Sequence, residues 1–151
     1  MTASIKIISQ NKKARFHYTI LETIESGICL TGTEVRSLRE TAPSLEEAFV
    51  EINKDLEAFL LNAFIAPFKF GNIFNHEEKR KRKLLLHKKQ ICLLKHKISS
   101  QGMAIVPLKL YFKNNKVKVE LALGKGKNLY DKRQSEKEKD IKRKLREGNF
   151  S

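Results

Sequence analysis

The chain has 151 residues, and its 31 Lys and Arg residues against 17 Asp and Glu residues give a net charge of +14 at pH 7. This length fits one domain plus an appendage, no stretch approaches the roughly 20 consecutive apolar residues that cross a bilayer, and the charge favours a polyanionic partner such as nucleic acid. The first residues lack the apolar core of a secretion signal, so a cytosolic protein is expected. In that compartment Cys29 and Cys92 are expected to be reduced, buried thiols.

The first part of the chain is predicted to contain short strands and one helix. Residues 16–24 show the alternation of apolar and polar side chains that is typical of a strand. Residues 27–32 form a second candidate strand, which is bounded by glycines. Thr33 is the candidate N-cap of a short helix that follows.

A hairpin is predicted in the next segment. Residues 49–52 and 58–65 are mostly apolar and flank a turn-rich link. Ser44 and Glu47 also have the spacing of a helical capping box. A helix over residues 45–52 is therefore the alternative.

The second half is predicted to contain one long helix and a second hairpin. Apolar side chains recur at helical spacing over residues 83–99 while lysines occupy the outer positions, and Gly102 is expected to end the helix. Residues 104–112 and 117–123 are predicted strands, and the Asn-Asn pair between them tolerates the positive φ of a tight turn. Six or seven strands with two helices predict a mainly β fold, a small closed barrel of the oligonucleotide-binding type.

A dense cationic run begins the predicted helix. Seven Lys and Arg residues occupy the eleven positions 79–89, without an acidic residue among them. The five consecutive cations at 79–83 repel one another, and a polyanion relieves this repulsion while it releases counterions. The run therefore predicts a nucleic-acid contact, the alternative being a solvated start of the helix. His87, within the run, is either an RNA contact or an ordinary surface histidine.

Residues 124–151 differ in character from the rest of the chain. They contain ten Lys or Arg and five Asp or Glu residues, with too few apolar side chains to form a core. Such a segment cannot offset its own ordering entropy and is predicted to be disordered in the free protein. A polyanionic surface can supply the missing free energy, so this segment is predicted to become helical on RNA.

Residues for catalysis or metal binding do not form a convincing pattern. Cys92 and His96 are one helical turn apart, but a closed zinc site needs four ligands. Glu22, Glu25 and Glu34 are scattered at turn and helix edges, where they are interpreted as surface charges. A non-enzymatic protein without metal or cofactor is therefore expected.

Six short blocks occur in a defined order along the chain. They are Asn11-Lys-Lys-Ala-Arg, Glu25-Ser-Gly-Ile-Cys-Leu-Thr-Gly-Thr-Glu-Val-Arg-Ser-Leu-Arg, Asn75-His-Glu, Arg82-Lys-Leu-Leu-Leu-His-Lys, Val106-Pro-Leu-Lys-Leu-Tyr-Phe-Lys, and Gly124-Lys-Gly-Lys followed by Asp131-Lys-Arg. In this order and spacing, over about residues 10–145, the chain resembles the SsrA-binding protein (small protein B) family, the partner of transfer-messenger RNA in bacterial ribosome rescue.

The resemblance implies an oligonucleotide-binding-like closed barrel of six to seven strands with about three peripheral helices over residues 1–130, followed by the tail at 131–151. It implies that the barrel binds the transfer-RNA-like domain of transfer-messenger RNA and delivers it to stalled ribosomes for trans-translation, which is ribosome rescue with peptide tagging. Contacts to this RNA are expected from Asn11, Lys12, Arg15, Glu25, Arg82, Lys83, Leu85, His87, Lys118, Lys125 and Lys127.

The resemblance also assigns a role to the tail. It is expected to enter the empty messenger channel of the small ribosomal subunit, near the decoding centre, and to become helical there. Contacts to ribosomal RNA are expected from Tyr130, Asp131, Lys132, Arg133, Lys137, Lys139, Lys142 and Arg143. Tyr130 stands where many relatives have His, and its ring can still stack on RNA. Elongation factor Tu is an expected partner through the shared RNA, and a monomer without membrane contact is expected.

Two alternatives remain open from the residues alone. A generic ribosome-associated or single-strand RNA-binding barrel would share the basic surface but would not prefer a transfer-RNA-like fold. An RNA-processing enzyme would need an acid–base pair or a metal site.

Overall fold

The computed structural model describes residues 4–70 and 75–126. This part of the chain contains seven antiparallel strands and three helices. In chain order they are β1 (Ile5–Gln10), α1 (Ala14–His17), β2 (Tyr18–Ile28), α2 (Gly32–Glu40), β3 (Phe49–Ile52), β4 (Ala58–Leu61), β5 (Arg82–Leu85), α3 (Lys88–Gln101), β6 (Met103–Lys113) and β7 (Lys116–Gly126). Lys127, the tail and every expected ribosome contact lie outside the described residues. None of the described helices has the length and apolarity that a membrane span requires.

The strands form one sheet in the order β1-β6-β7-β2-β5-β4-β3. Alternation along the strands gives the sheet an apolar inner face and a polar outer face. On β7, Val119 and Leu121 are buried in the core, whereas Lys118 and Glu120 alternate with them on the other side. The outer face carries Glu25, Lys83, Leu85, Lys109, Tyr111, Lys118 and Glu120. The predicted mainly β fold with about three helices is confirmed.

The helices cover different parts of the sheet. Leu38 of α2 and Ile91 and Leu94 of α3 belong to the main core on the inner face. Ala14 of α1 instead packs with Ala122 of β7 in a small second cluster. α1 therefore lies over one end of the outer face, to which it adds Arg15.

The predicted closure of the sheet into a barrel is wrong. Within the described residues, no backbone ladder joins the edge strands β1 and β3. Side chains tie the segment before β3 to the end of β1 instead, since Ser9 Oγ donates to Pro43 O at 3.1 Å. Asn11 Nδ2 donates to Leu45 O at 2.9 Å and to Pro107 O at 3.0 Å. The sheet thus stays open between β1 and the short β3, which spans only four residues.

Both predicted hairpins are present. β3 pairs with β4, which excludes the alternative helix over residues 45–52. β6 pairs with β7 through Asn114 and Asn115, whose φ angles are 50° and 67°. Gly102 ends α3 with a φ of 63°, the left-handed conformation that glycine commonly adopts after a helix.

The predicted helix over residues 83–99 begins later than expected. Residues 82–85 form β5, in which Arg82 and Leu84 are buried and Lys83 and Leu85 are exposed. α3 starts only at Lys88. Burial thus alternates along residues 82–85 with the two-residue period of a strand. The three consecutive leucines at 84–86 hide this period in the sequence.

The predicted boundaries of β2 and α2 also shift. Phe16 lies in α1, and β2 runs from Tyr18 to Ile28. The N-cap of α2 is Thr31, so the prediction of Thr33 is wrong.

Both cysteines differ in one respect from the prediction. They are free thiols, but both are exposed, so their predicted burial is wrong. On α3 the buried stripe consists of Ile91 and Leu94, which turns the intervening Cys92 toward solvent. Cys29 follows the last residue of β2.

We predict that Asn11→Asp destabilises the fold. A carboxylate only accepts hydrogen bonds, so the carbonyls of Leu45 and Pro107 would lose their donor, at about 1–3 kcal/mol for each buried group left unsatisfied. Urea denaturation measures the loss. Ser9→Ala, which removes a tie between the same segments at a less buried position, should cost about 1 kcal/mol or less. Equal losses in the two variants would contradict this role of Asn11.

Candidate nucleic-acid interface

One row of residues crosses the outer face from β6 to β5. Directly opposed residues of neighbouring strands share a face of the sheet. Tyr111 lies opposite Lys118, Lys118 opposite Gly27, and Gly27 opposite Leu85. Leu85 is 55% exposed. The row thus brings together two expected RNA contacts, Lys118 and Leu85, which come from opposite halves of the sheet.

Glu25 organises the cationic side chains beside this row. It accepts hydrogen bonds from Tyr111 Oη and, at 3.2 Å, from Lys113 Nζ. The bond from Tyr111, followed by the contacts with Lys113 and Lys118, holds the pKa of Glu25 below its ordinary value. Burial, together with Glu25, raises the pKa of Tyr111. Glu25 is therefore an ionised carboxylate that orients Tyr111 and Lys113, and its own contact with RNA stays a prediction.

At the α1 end, the outer face continues into a groove. Lys12 and Arg15 line this groove of about 340 Å³ together with Lys109 and Glu120. Lys109 Nζ lies 3.3 Å from Glu120 Oε2. The cations of the Asn11 block thereby adjoin those of β6 and β7.

At the β5 end, a second groove of about 600 Å³ opens between the β3–β4 turn and the start of α3. Lys83, Leu85 and His87 line it on one side, and Asp55 and Glu57 line it on the other. Lys83 Nζ lies 3.2 Å from Glu57 Oε2, and both side chains are partly exposed. This groove combines an apolar surface, cations and carboxylates within reach of one nucleotide.

The outer face and its two grooves hold most of the expected RNA contacts. They are Lys12, Arg15, Glu25, Lys83, Leu85, His87 and Lys118. Lys125 lies opposite Thr19 and Met103 on β7, where alternation places it on the other side of the sheet from Lys118. Asn11 is only 5% exposed and binds backbone carbonyls. Direct contact of each of these residues with RNA stays a prediction.

Arg82 lies inside the protein and not on this surface. Its side chain is fully buried, and its guanidinium donates to the carboxylate of Glu34. It also donates to Ala63 O at 2.8 Å and to Glu78 O at 3.1 Å. The structure therefore gives Arg82 a part in holding the fold, in contrast to the surface position expected from the sequence.

The interpretation of Glu34 as a surface charge is wrong, because its side chain is fully buried. It accepts hydrogen bonds from Arg82 Nε, from Arg80 Nη2 at 2.7 Å and from Thr31 N at 2.8 Å. Burial raises the pKa of a carboxyl, but the bonds from Arg80, Thr31 and Arg82 outweigh this effect and leave the pKa of Glu34 below its ordinary value. Burial also lowers the pKa of Arg82, yet a guanidinium stays protonated in proteins. The cluster is therefore ionised.

The cationic run at 79–83 is divided between the interior and the surface. Arg80 and Arg82 turn toward Glu34, while Lys81 and Lys83 are exposed. The mutual repulsion expected from five adjacent cations is thus partly relieved by a carboxylate of the protein itself. Only the outward half of the run is available to a polyanion.

The Asn75-His-Glu block also has a structural position. His76 is buried, with Nδ1 2.9 Å from Thr33 Oγ1 and Nε2 3.0 Å from Ile65 O. A carbonyl only accepts, so Nε2 carries the proton. Asn75 Nδ2 donates to Phe68 O at 2.8 Å. The block holds the loop before β5 against α2. Among residues 4–70 and 75–126, no three His, Cys, Asp or Glu side chains are grouped to hold a metal ion.

Sequence reasoning missed three residues of the outer face. Lys109, Tyr111 and Lys113 alternate along β6 and contribute two cations and the hydroxyl that binds Glu25. Their two-residue spacing within a predicted strand was the available signal. Gly27 was also missed, since a glycine inside a strand carries no chemistry of its own.

The chain is similar to one family of proteins over most of its length. Residues 8–149 match the family model described as SmpB protein. The SsrA-binding protein of Sulfurihydrogenibium sp. (strain YO3AOP1) is 55% identical over 142 residues, which is 94% of this chain and 93% of the relative. The SsrA-binding protein of Aquifex aeolicus (strain VF5) is 55% identical over 139 residues, 91% of this chain and 88% of the relative.

A solved structure has a similar fold. It is described as "tmRNA-SmpB: a journey to the center of the bacterial ribosome", and the matching chain is 43% identical with a TM-score of 0.66. The match covers 80% of this chain and 85% of that chain.

We predict that Glu34→Gln destabilises the fold by about 3–5 kcal/mol, because it leaves the buried Arg82 without its countercharge. Glu46→Gln is the matched control, since Glu46 pairs with Lys13 at 3.2 Å with both side chains more than half exposed. That surface pair should contribute about 1 kcal/mol or less. Thermal or urea unfolding compares the two, and a Glu34→Gln loss as small as that of the control would contradict the assignment.

We predict that the same cluster makes stability depend on pH. The pKa of Glu34 is lowered in the folded state, so its contribution is fully present above the unfolded value of about 4.3 and disappears as the pH falls through the lower folded pKa. The melting temperature of the native protein should therefore fall steeply below about pH 5, and that of Glu34→Gln less steeply. Parallel curves would assign the acid sensitivity to other carboxylates.

Proposed function

The chain belongs to the SsrA-binding protein family, and we propose that it binds transfer-messenger RNA and acts with it in trans-translation on the ribosome. The observation that carries the proposal is the outer face, where Lys113 and Lys118 lie beside Glu25, the exposed Leu85 belongs to the same row as Lys118, and a cationic groove adjoins each end. Such a surface combines phosphate-binding cations with groups that contact ribose and bases.

In our proposal, the outer face holds the transfer-RNA-like domain. The cationic grooves at both ends, with Lys12 and Arg15 at one and Lys83 and His87 at the other, are suited to a folded RNA that presents phosphates on both sides of a contact. Folded RNA is recognised mainly by shape, phosphates and 2′-hydroxyls. Glu25 supports this surface by holding Tyr111 and Lys113 in place.

The tail completes the proposed function. Residues 131–151 would enter the empty messenger channel of the small subunit and become helical near the decoding centre, and elongation factor Tu would join through the shared RNA. The support for this step is the composition of the segment, which is rich in Lys and Arg and poor in apolar residues. We propose that the chain acts as a monomer, since the outer face already offers one complete binding surface.

The first prediction from this function concerns salt dependence. Affinity for the isolated transfer-RNA-like domain should fall with salt, and Lys118→Ala and Lys83→Ala should each lower the log–log slope by about 0.7–0.9. Lys6→Ala is the matched control, because Lys6 lies opposite Phe112 on the other side of the sheet. Gel shifts at several salt concentrations measure the slopes. Equal binding of unstructured RNA by the native protein would favour a generic RNA-binding barrel.

The second prediction separates the two parts of the chain. Deletion of residues 131–151 leaves every described element in place, so the shortened protein should bind the transfer-RNA-like domain with nearly native affinity. It should lose peptide tagging on stalled ribosomes. Tagging at the full-length rate would show that the tail does not sense the messenger channel.

A further inference from the structure

Gly27 lies at the centre of the outer face although its backbone does not require glycine. It is in β2, and its φ is not positive. A Cβ atom at this position would lie 3.1 Å from Leu85 Cβ and 3.2 Å from Leu85 Cδ1. Opposed Cβ atoms in a sheet are ordinarily about 4.5–5.5 Å apart. A side chain at position 27 would therefore be crowded by Leu85, and the neighbouring strand would have to shift by a few tenths of an ångström to admit it.

The contact cannot be relieved by a simple side-chain rotation. Leu85 Cδ1 can move, but Leu85 Cβ is fixed to the backbone of β5. The ladder between β2 and β5 contains only two pairs, Gly27 with Leu85 and Ile28 with Leu84. A methyl group at position 27 would thus displace the end of β5 by a few tenths of an ångström and move Leu85 with it. Arg82, at the other end of β5, is held by Glu34, so the displacement would stay local.

The position of Leu85 gives this packing a consequence for RNA. Leu85 is 55% exposed although it covers Gly27, which is buried. In the row from Lys118 to Leu85 only Gly27 lies between them, so no side chain separates the cation from the leucine. An apolar shelf beside a cation, open to the groove of Lys83 and His87, suits a nucleoside whose ribose or base meets the leucine while its phosphate meets a lysine.

We propose that Gly27 is a positioning residue for RNA recognition, which acts by letting Leu85 lie across the sheet as an apolar shelf for one unstacked nucleoside. The inference rests on the proposed function, since it assigns a role within the same RNA-binding surface. Gly27 itself contributes no hydrogen bond from a side chain and no charge. Its effect on affinity passes through Leu85.

The test compares Gly27→Ala with Gly32→Ala in the full-length protein. Gly32 is the matched control, because a Cβ there would meet nothing within 4 Å and its φ is not positive. Gly27→Ala should weaken binding of the isolated transfer-RNA-like domain about tenfold, the scale of losing a partly buried leucine contact. The salt slope should not change, since no phosphate contact is lost. Gly32→Ala should bind like the native protein.

Leu85→Ala alone tests the apolar shelf if Gly27→Ala folds poorly, and a double-mutant cycle tests whether the effect of Gly27→Ala passes through Leu85. Leu85→Ala keeps Cβ but removes Cγ and both Cδ atoms, so Gly27→Ala should add little to the loss of affinity in that background, because the shelf that it would displace is already absent. Full additivity in the cycle, native affinity of Gly27→Ala, or native affinity of Leu85→Ala would each overturn the proposal. If the native protein shows no preference for the transfer-RNA-like domain, the proposed function fails, and the same cycle on the RNA that does bind still decides the role of Gly27.

Discussion

The buried carboxylate of Glu34 is the interaction on which the arrangement of the outer face depends. It joins the first turn of α2 to β5 through Thr31, Arg80 and Arg82. Arg82 in turn holds the carbonyls of the loops that precede β5. A buried charge is strongly unfavourable without partners, so the carboxylate of Glu34 and the guanidinium of Arg82 must stay paired when the protein is folded. Because Arg82 is fixed inside, its neighbours in the sequence, Lys81 and Lys83, face outward.

The outer face is cationic but not uniformly so. Lys83, Lys109 and Lys113 each lie within about 3.3 Å of a glutamate. Exposed pairs of this kind contribute little to stability, so a lysine can exchange its glutamate for an RNA phosphate at little cost. A surface of this design can favour a specific folded RNA over an arbitrary polyanion.

Much of the fold and part of the site could be predicted from local signals. The Asn-Asn turn, the glycine after α3 and the alternation in β6 and β7 are local properties, and the structure has these elements in place. The errors have a common cause. The run at 79–83 contains residues with similar side chains but opposite environments, and no local pattern shows that Glu34 lies against it from 46 or more positions earlier. No strand was predicted over residues 5–10, where β1 lies at the edge of the sheet with Ile5 and Ile7 exposed.

The sequence by itself determined the basic character of the protein, its strand-rich composition, its hairpin turns and its family, since these depend on residue type and on spacing along the chain. Only the tertiary structure decided that the sheet stays open, that the side chains of Arg82 and Asn11 make their hydrogen bonds in the interior, and that Gly27 leaves space for Leu85. Each of these features depends on a contact between two segments that are far apart in the chain. Burial and steric contact arise only when such segments pack together, so they cannot be deduced from the pattern of residues within one segment.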